Sequence, residues 1–203
     1  MKLYACPGTC SLAPHVLLHE TRLPFELVIV DIGTHRTADG RDYYAINPRG
    51  QVPALELDDG EMLTEGPVIA QYLADRADAL ELMPAAGTLA RYRVMAWQNY
   101  VSTELHKSFT PLFSSDFDAT AKAVHARKLR QRFEWVDAQL AGRPFLTGTA
   151  FTAADVYLYV VAGWARLVDV DVSGLDHLQA FLGRVAARPS VRAAHQAEAR
   201  RAA

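Results

Sequence analysis

Two side chains in this sequence, Cys10 and His106, are of types that could carry chemistry. Cys10 follows Pro7-Gly8-Thr9, which suits a turn from a strand into a helix, so its thiol is expected beside unpaired helix N–H groups that favour the thiolate. By residue type alone, Cys10 reads equally well as a small buried apolar side chain. Cys6 falls inside the preceding strand, and the spacing Cys-x-x-x-Cys exceeds that of redox Cys-x-x-Cys pairs by one residue, which argues against a dithiol centre. Cys6, Cys10, His15 and His19 are also residue types that bind zinc, with the histidines one helical turn apart. Only four residues separate Cys10 from His15, however, and a zinc finger needs about a dozen to wrap back. No metal is expected. His106 shares a helix face with Asn99 and Thr103, opposite an apolar stripe. Its residue type suits acid–base work, but its position alone reads as a solvated or interface histidine.

Backbone chemistry is concentrated between Ile46 and Gly66. Val52, Ala54, Leu55 and Leu57 form a short extended run, Asp59-Gly60 suits a tight turn, and Met62-Leu63 begin a second strand, so a β-hairpin is expected. Pro53 stands at the mouth of the first strand, where it cannot donate to a ladder and pushes Val52 towards an extended conformation. Pairing would stop there, leaving the Val52 backbone groups for an extended, peptide-like ligand. Thr64-Glu65-Gly66-Pro67 then leads into a helix with Val68, Ile69, Tyr72 and Leu73 on one side. Its N-terminus offers N–H groups and a positive dipole end to a carboxylate. The same stretch also reads as an ordinary turn, edge strand and capped helix.

The elements that must position these groups fall into two regions. Residues 1–78 alternate strand and helix: a strand from Lys2 to Cys6, a helix from Cys10 to about Thr21, a strand from Phe25 to Ile32, a short polar helix around Thr37 to Tyr44, then the hairpin and the helix from Pro67. Residues 79–88 form a linker, and residues 89–203 read as helix throughout. One long helix is expected from Leu89 to Phe113, with Val94, Trp97, Val101, Leu105, Phe109 and Leu112 as its core stripe. A second runs from Lys122 to Leu140. In the stretch from Phe151 to Val156, Thr152 and Asp155 have the spacing of a capping box and Phe151 can staple onto Val156, which is a folding device rather than catalysis. The helix that follows is apolar all round and is expected at the centre of its domain. Helices from Leu175 to Ala187 and Val191 to Ala199 close the chain.

Composition narrows the function. The chain has 203 residues, half of them hydrophobic, and a formal net charge of -2. A sizeable core is expected, and neither disorder nor a nucleic-acid partner is indicated. The first residues lack the apolar core of a signal peptide, and the most apolar stretch, Val156 to Ala165, is bounded by Asp155 and Arg166. A soluble, cytoplasmic protein without a membrane partner is expected, with both cysteines as reduced thiols.

The run N-P-R-G-Q-V-P-A-L followed by L-T-E-G resembles the glutathione-binding half of cytosolic glutathione S-transferases, and with Cys10 and His106 the whole chain resembles their bacterial beta class. The resemblance implies an α+β fold, a thioredoxin-like domain followed by an all-helical one. It also implies a cis bond before Pro53, pairing of Val52 with the cysteinyl part of glutathione, and Glu65-Gly66 holding the γ-glutamyl end. Cys10 and His106 would be catalytic, Cys10 also holding glutathione as a mixed disulfide. The implied glutathione contacts are Cys10, His35, Gln51, Val52, Glu65, Gly66, Asn99, Thr103, Glu104, His106 and Lys107, with Thr103 and Glu104 serving the neighbouring subunit of a homodimer. Pro53, Thr152 and Asp155 would be structural. The reaction would join glutathione, a co-substrate needing no further cofactor, to a hydrophobic electrophile, with thiol–disulfide exchange through Cys10 as a second chemistry.

The chain departs from this pattern at His35, where beta-class proteins commonly carry a lysine facing the glycyl end of the ligand. A neutral histidine pairs less well with a carboxylate near pH 7.5, so weaker or more pH-dependent binding is expected unless Arg36 substitutes. The rival reading is a non-catalytic binding or stress-response module that keeps the fold without the reaction.

Overall fold

The computed structural model describes residues 1–202. Ala203, the last residue of the expected helical region, lies outside the described residues. The chain divides into two compact units, Met1–Leu80 together with the chain from Arg188 onward, and Glu81–Ala187.

The first unit is built on five strands, β1 (Lys2–Ala5), β2 (Glu26–Asp31), β3 (Arg36–Thr37), β4 (Ala54–Glu56) and β5 (Met62–Thr64), in the order β3-β2-β1-β4-β5. β1 and β2 are parallel, as the intervening helix α1 (Leu12–Thr21) requires, and the other pairs are antiparallel. This is the expected thioredoxin-like arrangement, and Asp59-Gly60 does turn β4 into β5. Tyr4, Val28, Val30, Tyr43 and Ala54 form a buried cluster, with Ile46, Val52 and Met62 packed against it. Helix α2 (Gly66–Arg76) packs on α1.

The expected helix from Thr37 to Tyr44 is absent. Thr37 pairs with Val30 in β3, and a single 3₁₀ turn, Tyr43–Ala45, follows, with the Asp42 side chain accepting the Tyr44 N–H. Asp42 and Gly40 favour turn conformations over a helix interior, and that preference prevails here.

The last helix, α8 (Pro189–Ala202), also departs from the sequence division, because it belongs to the first unit and packs on α1. Two polar pairs hold it there, the first partly buried and the second fully so. Arg188 grips both oxygens of Glu20 at 2.8 and 2.9 Å, and Nδ1 of His15 lies 3.0 Å from Glu198.

The second unit contains α3 (Leu89–Tyr100), α4 (Thr110–Phe113), α5 (Ala119–Leu140), α6 (Ala153–Ala162) and α7 (Asp176–Ala186). α6 is central as expected, buried at every residue but Tyr159. The single helix expected from Leu89 to Phe113 is broken. A π-helical turn, Val101–Leu105, and a 3₁₀ turn, His106–Phe109, separate α3 from α4. Two hydroxyls in the segment bond back to carbonyls one turn earlier, Thr103 to Asn99 at 3.1 Å and Ser108 to Glu104 at 2.6 Å, and Pro111 has no N–H to continue the α pattern. The extra residue of the π turn shifts the helical phase. Val94, Val101, Leu105, Phe109 and Leu112 are buried as expected, whereas Trp97 is only partly so and Gln98 is buried. Trp97 instead joins Tyr100 and the exposed Trp135 in an aromatic cluster.

Candidate active site

Cys10 occupies the turn from β1 into α1. The turn is tied by hydroxyls: Thr9 donates to the Cys6 carbonyl at 2.8 Å, and the buried Ser11 accepts the Cys6 N–H at 3.0 Å. The Cys10 thiol, next to the first turn of α1, donates to the Val52 carbonyl at 3.4 Å. It thus meets the backbone that the sequence marked for an extended ligand, and the Val52–Pro53 bond is cis. Burial pushes the Cys6 thiol above its ordinary range, so the two cysteines differ in environment.

The loop from Asn47 to Gln51 is fixed from below. Buried Asn47 donates from its side chain to the Gln51 carbonyl at 2.8 Å and accepts the Arg49 N–H at 3.2 Å, while the Tyr43 hydroxyl reaches the same carbonyl at 2.9 Å. Above it, Nη2 of Arg49 lies 2.9 Å from Oε1 of Glu65 and 3.1 Å from Oε1 of Gln51. Glu65 has a left-handed φ of 69°, unusual for a residue with a side chain, and its carbonyl accepts the N–H groups of Val68 and Ile69, both at 2.9 Å. Gly66 opens α2 directly after it. His35 also has positive φ, 52°, and its ring lies against Tyr44 with centroids 4.4 Å apart. Its Nδ1 is buried without a hydrogen-bond partner. Arg36, the expected substitute, donates to the Gly40 carbonyl at 2.8 Å.

The first unit therefore brings Cys10 to Val52, and connects Gln51 to Glu65 through Arg49. Within the second unit, His106 is half-buried rather than solvated. Its Nδ1 lies 2.7 Å from the Tyr157 hydroxyl, and its ring packs edge-on to Trp164 at 4.8 Å. The phase shift at the π turn accounts for this inward placement. Asn99, Thr103 and Lys107 are exposed, and Glu104 pairs with Arg132 at 2.9 Å. Asp155 is fully buried and accepts the Leu146 N–H at 2.8 Å and both the N–H and hydroxyl of Thr152 at 2.7 Å.

Sequence reasoning did not single out Arg49, Tyr44, Tyr157 or Glu198. Arg49 lay inside the N-P-R-G-Q run and could have been questioned, whereas no local pattern points to Glu198. Among the described residues no three His, Cys, Asp or Glu side chains gather as a metal ion would need, and no helix is long and apolar enough to cross a membrane.

Comparison with known proteins places both halves. The family "Glutathione S-transferase, N-terminal domain" matches residues 7–76, and "Glutathione S-transferase, C-terminal domain" matches residues 100–189. The chain is 45% identical over 198 residues to glutathione S-transferase GstA of Escherichia coli O157:H7, covering 98% of each. It is similar to a sphingomonad glutathione S-transferase solved in complex with glutathione, with TM-score 0.94 and 45% identity, covering 98% of this chain and 99% of that one. It is equally similar in fold to the beta-class glutathione S-transferase of Sphingomonas chungbukensis, with TM-score 0.94 and 42% identity, covering 98% of each chain.

Proposed function

The chain belongs to the glutathione S-transferase family, in its bacterial beta class, and is a glutathione transferase; on that premise we propose that glutathione lies along Val52 with its sulfur presented at Cys10. The observation that carries this reading is the 3.4 Å bond from the Cys10 thiol to the Val52 carbonyl, on the peptide unit that precedes Pro53. In this reading the tripeptide's cysteinyl part pairs with Val52, and its γ-glutamyl end meets Glu65 and the α2 N-terminus at Gly66.

In the conjugation, the glutathione sulfur loses its proton to His106 and attacks a hydrophobic electrophile. With a chloronitroaromatic the S–C bond forms, the C–Cl bond breaks and chloride leaves. In the exchange reaction, the Cys10 thiolate attacks one sulfur of a glutathione disulfide. A Cys10–glutathione mixed disulfide forms and one glutathione leaves as thiolate. His35, Gln51, Asn99, Thr103, Glu104 and Lys107 complete the proposed glutathione contacts, and Pro53, Thr152 and Asp155 serve the fold. We further propose a cytoplasmic homodimer that works without a cofactor beyond its co-substrate.

Retention on immobilised glutathione and turnover of a chloronitroaromatic test the reading together. Cys10→Ala should abolish the mixed disulfide. Disulfide reduction unchanged in that variant would remove Cys10 from the exchange route. A non-catalytic module would be retained on the column without turnover, and the close similarity to glutathione transferases over the full chain disfavours it.

A further inference from the structure

One guanidinium nitrogen connects two side chains of the proposed γ-glutamyl site. Nη2 of Arg49 lies 2.9 Å from Oε1 of Glu65 and 3.1 Å from Oε1 of Gln51. The ion pair is wet, with side-chain exposures of 56% and 57%, and pairs that exposed add little to stability. Its consequence is orientation. With Oε1 of Gln51 turned to Arg49, the amide NH₂ of Gln51 points away from the guanidinium as a donor. With Oε1 of Glu65 taken, Oε2 is left as an acceptor. The bases of both side chains are held as well: the Gln51 carbonyl by Tyr43 and Asn47, and the Glu65 backbone by the first turn of α2.

We propose that Arg49 is a positioning residue that sets the Gln51 amide donor and the Glu65 carboxylate acceptor side by side, making a specificity element for an α-amino-acid zwitterion, the ammonium and carboxylate carried by a γ-glutamyl group. This rests on the reading that Glu65 takes the γ-glutamyl end. The chemistry selects ligands with both charges on one carbon. An ammonium alone would forgo the Gln51 donor, and a carboxylate alone would leave Oε2 of Glu65 without a ligand donor to accept from.

Three thiols test the proposal with the intact protein: glutathione, its deaminated analogue glutaryl-Cys-Gly, and its decarboxylated analogue 4-aminobutyryl-Cys-Gly. Arg49→Met should raise KM for glutathione about five- to tenfold, the scale of one or two charge-assisted contacts misplaced, with kcat at saturation within about twofold. Both analogues should be poorer substrates of the unmodified protein than glutathione and should lose less than glutathione does in Arg49→Met, and Arg49→Lys should restore part of the glutathione KM. An equal loss for all three thiols, a fall in kcat without a change in KM, or no change at all would overturn the role of Arg49. Glu65→Gln checks the reading beneath it. If that variant binds glutathione as tightly as the unmodified protein, the γ-glutamyl assignment fails whatever Arg49 does. If it selectively loses glutathione while Arg49→Met changes nothing, only the positioning proposal fails.

Discussion

The carboxylate of Glu198 lies 3.0 Å from Nδ1 of His15, a pair separated by 183 residues in sequence, and both side chains are buried. The second Glu198 oxygen accepts the Gly8 N–H at 3.3 Å, so one carboxylate ties the C-terminal helix both to α1 and to the turn that carries Cys10. Glu198→Ala should lower stability by about 2–4 kcal/mol, because it leaves a buried imidazole nitrogen without its partner. Glu198→Gln keeps an acceptor and should cost less. Urea unfolding of the three proteins tests the ranking, and amide exchange at Gly8 and Thr9 should quicken in the alanine variant. An alanine variant as stable as the parent would show that the pair contributes nothing to holding α8.

Asp155 gives the fold a pH dependence opposite to that of most paired carboxylates. Burial pushes its carboxyl up to about 6 from an ordinary 3.8, although the Leu146 N–H and both Thr152 donors favour the charged form. A carboxyl whose folded value is raised contributes its full stabilisation below the unfolded value and loses it as pH rises through the folded one. Between pH 5 and pH 7 the loss should be about 1–2 kcal/mol. Asp155→Asn does not titrate, so the stability difference between parent and variant should shrink by that amount over the interval. Urea midpoints measured at each pH follow it, and a difference that is flat or grows with pH contradicts the sign.

What the sequence made legible here was local. The Asp59-Gly60 turn, Pro67 in the first turn of α2 and the Thr152/Asp155 spacing each depend on a few neighbouring residues, and each is present. Pro53 does stop pairing just ahead of β4, but β4 lies between β1 and β5 and is not the edge strand the sequence suggests. What escaped depends on competition or on distance. Thr37 pairs with Val30 instead of starting a helix, a choice made by the edge of β2. The hydroxyls of Thr103 and Ser108, with Pro111, break a stripe whose apolar spacing reads as continuous, and His106 turns inward as a result. Glu198 reads as one more charge in an Ala/Arg-rich tail, and only its meeting with His15 across the chain gives it meaning.

The two cysteines should separate cleanly towards glutathione disulfide. Cys10 stands at the mouth of α1 against Val52, whereas burial pushes the Cys6 thiol up and disfavours its thiolate. Intact-protein mass spectrometry after incubation should show one glutathione adduct, retained in Cys6→Ser and lost in Cys10→Ser. An adduct that survives in Cys10→Ser would move the reactive thiol to Cys6.

Gly50 controls how closely His35 and Tyr44 approach the binding loop. A Cβ at this position would sit 2.6 Å from Cε1 of Tyr44 and 2.8 Å from Nδ1 of His35, on a backbone with φ +63°. Gly50→Ala should therefore cost about 1–3 kcal/mol and also weaken glutathione binding, because the side chain that gives way is a proposed ligand contact. Gly40 provides the control. Its φ is +85°, but nothing lies within 4 Å of an added Cβ, so Gly40→Ala carries the backbone penalty without the collision. Urea unfolding should register both substitutions, while calorimetric titration with glutathione should register only Gly50→Ala. If both variants bind glutathione as the parent does, His35 is not a contact, and the histidine in place of the usual lysine has no bearing on affinity.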